Sequence, residues 1–309
     1  MASLTSRIIA FAVRRSRNKE TFNALAQRLS HHQAKPCGPS KRQLKQFHIR
    51  NARINEHSVW TLSPKQTTSD RHLFYLHGGA YINGLGKPHW WFLCHLAKAL
   101  NCSITIPEYP LAPHHTVDDA MECILPLYKS LAHTIGGNNL VLMGDSSGGG
   151  LCLSLAQQIN QRGLPKADKI ILLCPWLDVS MSNPAIAEVD PLDPMLGVEG
   201  LRATGKAFAG KHATKSPMIS PLYGPLNGLP PMWIFIGSND VLLPDCKSLH
   251  ALAEAEQTPV TLHEYEDMLH LFMMMPIPEA KQALAKIVSI IHQTPQAQRN
   301  PSPVQTAVI

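Results

Sequence analysis

The sequence predicts an α/β fold: a mostly parallel central sheet with helices on both faces, under a helical cap. Two observations carry this. Short apolar runs alternate with segments of helical period through most of the chain. The runs Leu140–Met143 and Ile170–Leu173 are apolar without alternation, as strands buried on both faces are. Repeated strand–helix–strand units imply right-handed crossovers between parallel neighbours. With 309 residues, 44% hydrophobic and 16% charged, the chain has ample apolar content for a core and is no disordered polymer. No apolar run approaches the ~18 residues of a membrane span, and no internal repeat is present.

The elements follow in order. Residues 1–35 read as helical, with Leu4, Ile8 and Phe11, then Phe22, Leu25 and Leu29, at helix spacing. Pro36–Ser40 is a break, and residues 1–45 are expected to form an N-terminal cap segment. The main α/β domain is expected over 46–292. It opens with short strands near 46–50 and 59–62, then strands at 73–76, 103–106, 140–143, 170–174, 232–236 and 260–265. Helices are expected at 88–100, 117–133, 148–162, 244–256 and 279–292, the first opening on Pro88, which suits a first helical turn. Residues 178–230 break the rhythm with many Pro and Gly and read as a cap insertion paired with residues 1–35. The tail 293–309 holds three prolines without a periodic pattern and reads as disordered.

Charge is uneven. Residues 1–53 hold twelve Lys/Arg against Glu20 alone, a charge of +11, so the rest carries −5 to reach the net +6. A basic arm for nucleic acid or anionic lipid is one reading. The preferred one is a cap with a solvated basic face, because no nucleic-acid module follows. The seven cysteines are odd in number, and none forms a Cys-x-x-Cys pair. Free thiols in a reducing, cytoplasmic compartment are expected rather than disulfides or a zinc site. Ile8–Val13 is too short, and too basic on its far side, for a secretory signal.

Leu140–Met143 runs into Gly144-Asp-Ser146-Ser-Gly148 and then a helix. A strand, a sharp turn and a helix are the context a strained nucleophilic serine requires. Residues two positions either side of it must be small. Gly144 and Gly148 flank Ser146 in this way; Ser147 has Asp145 on one side. The helix also aims amide N–H groups at the site, that of Ser147 among them. A phosphate loop is disfavoured, because the Lys it needs is missing.

Upstream, His77-Gly78-Gly79-Ala80-Tyr81 follows a strand, with Gly79 67 residues before Ser146. Gly78 and Gly79 leave their N–H groups open to an oxyanion. His77 reads as a support of the loop, and Tyr81 as a side chain that either lines the substrate pocket or packs. A serine needs a base oriented by an acid. His270 lies in the loop after the strand 260–265. Asp240 ends the apolar strand Met232–Gly237, 94 residues after Ser146 and 30 before His270. Asp245 looks instead like a first-turn helix acid, and Glu264, Glu266 and Asp267 like solvated groups.

Together, His77-Gly-Gly, the Gly144–Gly148 turn, Gly237-x-x-Asp240 and Met268-Leu-His270 resemble the bacterial hormone-sensitive-lipase-like esterases of the α/β-hydrolase superfamily. Glu108–Pro113, Ser220-Pro-Leu-Tyr and Leu229-Pro-Pro231 support the resemblance, which spans roughly residues 70–275. It implies the α/β-hydrolase fold and hydrolysis of small-molecule carboxylic esters, usually with short acyl chains. No metal or organic cofactor is implied. Ser146, Asp240 and His270 would be the triad, and Gly78, Gly79 and Ser147 the oxyanion hole. Ala80 stands where many members have a third glycine, and Ser147 where alanine is common. Two other readings are a membrane-docking lipase and a catalytically silent ligand-binding protein. The silent form typically lacks a triad member, and here all three are present.

Overall fold

The computed structural model describes residues 2–26, 28–34, 37–54, 57–293 and 307–308. The elements are α1 (Leu4–Arg15), α2 (Asn18–Ala26), α3 (Lys41–Gln46), β1 (Phe47–Ile54), β2 (His57–Pro64), β3 (His72–Leu76), α4 (Lys87–Leu100), β4 (Ser103–Pro107) and α5 (Val117–Ile135). Then come β5 (Leu140–Asp145), α6 (Ser146–Gln161), β6 (Lys169–Leu173), α7 (Ile186–Val189), α8 (Val198–Ala209), β7 (Met232–Gly237), α9 (Leu243–Ala255), β8 (Val260–Tyr265) and α10 (Pro278–His292). Local chemistry sets many of the ends. Asn101 turns left-handed (φ 49°) to close α4, and Asp119 reaches back to the Thr116 amide at 2.7 Å to open α5.

One sheet runs in the order β1-β2-β4-β3-β5-β6-β7-β8. The pairs β1/β2 and β2/β4 are antiparallel; from β4 onward every neighbour is parallel. Strands β3, β5 and β6 are buried along their whole length, which is why they lack a polar face in the sequence. Because β3, β5, β7 and β8 point the same way, the segments after them emerge along one edge. In open α/β sheets that edge, at the carboxyl ends of the strands, is where sites are built.

The helical stretch expected over 1–35 is two helices. Arg17, at φ 53°, breaks the chain between α1 and α2. The insertion at 178–230 supplies α7 and α8, and α2 lies on α8. The Gly200 amide donates to Asn23 Oδ1 at 2.9 Å, and a Cβ at Gly200 would fall 2.6 Å from the Phe22 ring. Helix α6 starts at Ser146, two residues before the expected Gly148. Of the tail, 294–306 and 309 lie outside the described residues. Ala307–Val308 pairs with β8 as a two-residue strand, a departure from the disorder expected there. No helix among the described residues is long and apolar enough to cross a membrane.

Gly200→Leu should pry α2 from α8, since overpacking costs about 1–3 kcal/mol and the contact is local. Limited trypsin digestion should cut within residues 14–35 sooner than in the parent, with the main unfolding transition little changed.

Candidate active site

Ser146 sits at the junction of β5 and α6 with φ 50°, a left-handed conformation that a serine adopts only when its surroundings enforce it. The enforcement is close packing. A Cβ at Gly148 would lie 2.1 Å from the Leu76 carbonyl oxygen, and one at Gly144 would lie 2.5 Å from that of Gly148. Only glycine lets the turn press against the end of β3. The Ser146 carbonyl accepts the Trp176 amide at 2.9 Å, which pins the turn from the β6 side.

The three residues expected to act together do meet. His270 Nε2 lies 3.1 Å from Ser146 Oγ, and Nδ1 lies 2.7 Å from Asp240 Oδ2. All three side chains are buried. Asp240 Oδ1 also accepts the Leu242 amide at 3.0 Å, so both carboxylate oxygens are engaged. Burial alone would lower the pKa of His270, but the Asp240 charge and hydrogen bond, with Asp193 and Asp145 further away, outweigh it and raise it above 6.5.

Among the expected oxyanion donors, the structure corrects one. The Gly78 N–H donates to Asp145 Oδ1 at 2.9 Å. It is already occupied and is no free donor. The N–H groups of Gly79, Ala80 and Ser147 have no acceptor among the described residues. Ala80, at φ 53°, is therefore an open amide that sequence reading did not single out. Its signal was present: it fills the third place of a motif where glycine is common. Tyr81, also left-handed at φ 62°, stacks on Phe208 of α8 (centroids 4.2 Å apart) and on Trp176 (5.2 Å), and its amide donates to Ser147 Oγ at 3.3 Å. The ring is fully buried and packs cap against elbow.

His77 is a support, as read. Its Nδ1 lies 2.8 Å from the Gly78 carbonyl oxygen and its ring stacks on Tyr109 at 4.5 Å. Burial lowers its pKa to about 4, so it stays neutral. Asp245 binds Asn183 of the cap insertion at 2.9 Å and Glu264 pairs with Lys247 at 3.0 Å, so neither serves as the acid.

Three residues that sequence reading passed over surround the triad. Asp145 is buried; its Oδ1 accepts Tyr75 Oη at 2.6 Å as well as the Gly78 amide, and Oδ2 lies 3.3 Å from His89 Nε2. It ties the glycine loop to the elbow. Asp193, from the cap insertion, accepts the amides of Met195 (2.7 Å), Leu196 (3.0 Å) and Val241 (3.0 Å), the last beside Asp240. Burial first, then the Asp240 charge, push its carboxyl up to about 6. Cys174, at φ 44°, accepts the Leu271 amide on its sulfur at 3.3 Å, and burial and Asp240 push its thiol well above the ordinary value. Cys174, Asp240 and His270 are the one cluster of metal-ligand types found among the described residues. Asp240 and His270 in it already bond to each other.

A strained serine, its imidazole and a buried carboxylate at one edge of a parallel sheet define the α/β-hydrolase class. A family model described as the alpha/beta hydrolase fold matches residues 73–274. An esterase of Acinetobacter venetianus is 31% identical over 226 residues, 72% of this chain and 75% of its own length. An acetyl-hydrolase of Streptomyces hygroscopicus is 28% identical over 217 residues, covering 69% and 73%. A solved structure described as an esterase from the bacterial hormone-sensitive lipase family superposes with a TM-score of 0.80 at 24% identity, covering 95% of this chain and 99% of that one. The chain belongs to the α/β-hydrolase family, as its resemblance to the hormone-sensitive-lipase-like esterases implied.

Two variants test the surrounding carboxylates. Asp145→Ala should release the glycine loop and lower kcat by about 10²–10³, the usual loss when an oxyanion donor is misplaced, with KM changed far less. Asp193→Asn removes a negative charge that favours the imidazolium. Since catalysis needs His270 neutral at Nε2, kcat/KM falls as pH drops through the raised pKa of His270. The acidic limb of the pH profile should therefore move to lower pH in Asp193→Asn.

Proposed function

We propose that this carboxylic ester hydrolase works through an acyl-enzyme on Ser146 and prefers short to medium acyl chains. The observation that carries the reading is the unbroken line from Ser146 Oγ through His270 to Asp240, at 3.1 and 2.7 Å. Ser146 attacks the ester carbonyl carbon while His270 Nε2 takes its proton. Asp240 holds Nδ1 protonated and stabilises the imidazolium. The oxygen that becomes negative lies against the open amides of Gly79, Ala80 and Ser147. The tetrahedral adduct then collapses, the carbon–oxygen bond to the alcohol breaks, and His270 protonates the departing alkoxide. Water then attacks the acyl carbon while His270 Nε2 takes its proton; the carbon–oxygen bond to Ser146 breaks, His270 returns the proton to Oγ, and the carboxylic acid leaves.

Two features support short chains. Tyr81, Trp176 and Phe208 fill the space between elbow and cap, and one relative is named an acetyl-hydrolase. Seven cysteines without a disulfide, five of them buried, support a cytoplasmic, reducing compartment.

On p-nitrophenyl esters from acetate to palmitate, kcat/KM should be highest between acetate and hexanoate and fall beyond. Ser146→Ala should lose about 10⁴-fold or more and fail to react with an organophosphonate probe. Undiminished turnover in Ser146→Ala would refute the acyl-enzyme.

A further inference from the structure

We propose that α1 is a docking helix for anionic phospholipid bilayers. Leu4, Ile8 and Phe11 recur at intervals of four and three and so share one side of the helix. That side faces solvent: Leu4 is 72%, Ile8 60% and Phe11 63% exposed. The side turned to the protein is a different one, carrying buried Ser6 and half-buried Ile9 and Val13. The helix is thus apolar on two sides, and packing on the domain uses only one of them.

The outer stripe has a basic border. Arg7 and Arg14 line one edge of it, the Arg15 guanidinium lies 5.9 Å from the Phe11 ring centroid, and Arg17 follows at the helix end. No acidic residue precedes Glu20. A helix with a bulky apolar face and arginines beside it settles at the boundary between headgroups and acyl chains. A negative lipid surface attracts its charge. The same chemistry argues against a second copy of this chain as the occupant. In a two-fold contact the arginines of one face would meet those of the other.

The helix is also anchored for such a role. The Ser3 amide donates to Glu279 Oε1 at 2.6 Å, Ser6 Oγ donates to Glu279 Oε2 at 2.5 Å, and Arg14 donates to the Leu192 carbonyl at 3.2 Å. Leu192 is itself 44% exposed, and Asp193 next to it holds the Val241 amide beside the catalytic acid. A bilayer bound to α1 would therefore lie against the cap segment that reaches the active centre. The inference stands on the surface of α1 and does not depend on the acyl-enzyme reading.

The test is co-sedimentation of the full chain with vesicles of phosphatidylcholine alone or with about one third phosphatidylglycerol. The expected result is a bound fraction at least about tenfold higher on the anionic vesicles, reduced in high salt. Ile8→Glu with Phe11→Glu should lose at least about tenfold in binding. The same variant should keep the parent's turnover of p-nitrophenyl butyrate in vesicle-free buffer, which shows that it is folded. Equal binding to both vesicle types, no binding to either, or unchanged binding by the double variant would overturn the proposal. So would a lipid-free dimer that the double variant splits and that ignores vesicles, since the stripe would then belong to a second copy.

Discussion

The turn from β5 into α6 presses against the end of β3 so closely that a single methylene would break the contact. A Cβ on Gly148 would meet the carbonyl oxygens of Leu76 and His77 at 2.1 and 2.4 Å. That approach brings the loop following β3 beside Ser146, where a Cβ on Gly78 would lie 2.9 Å from the serine's own Cβ. It also leaves Ser146 in a left-handed conformation, held by this close packing and by the Trp176 amide rather than by any preference of its own. Asp145 completes the joint: it belongs to the elbow and binds the Gly78 amide of the neighbouring loop. The geometry of the oxyanion hole is therefore a property of two loops clamped together.

Around this joint the electrostatics are concentrated. Asp145, Asp193 and Asp240 are all buried, and a buried carboxylate is tolerated only with donors in place. Asp145 has a tyrosine hydroxyl and an amide, Asp193 has three amides, and Asp240 has an amide and the imidazole. All three favour the protonated form of His270 against the burial that opposes it, and that is the form the proposed attack by the serine would produce. The arrangement stabilises charge where catalysis by an imidazole base creates it.

The fold and the triad were legible because they are written in local chemistry and chain order. Buried parallel strands lose their polar face, the elbow demands small residues at two fixed positions, and Asp240 and His270 each follow a strand of the same direction. Other features were not legible. Gly78 looked like an open donor because its composition is right, yet the direction of its N–H depends on Asp145, 67 residues away. Asp193 and Cys174 carry no motif; they matter through what the folded chain puts beside them. Leu4, Ile8 and Phe11 showed the spacing of a helix side, but spacing does not say which side faces the domain.

The amino-acid order alone thus determined the layer architecture, the mostly parallel sheet and which serine, histidine and aspartate would meet at its edge. Each follows from periodicity, turn sterics or succession along the chain. Tertiary structure decided which amides remain free, which carboxylates crowd the imidazole and which apolar side of α1 is left in water. Those outcomes are set by hydrogen-bond directions and contacts between residues far apart in sequence, and such contacts exist only once the chain has closed on itself.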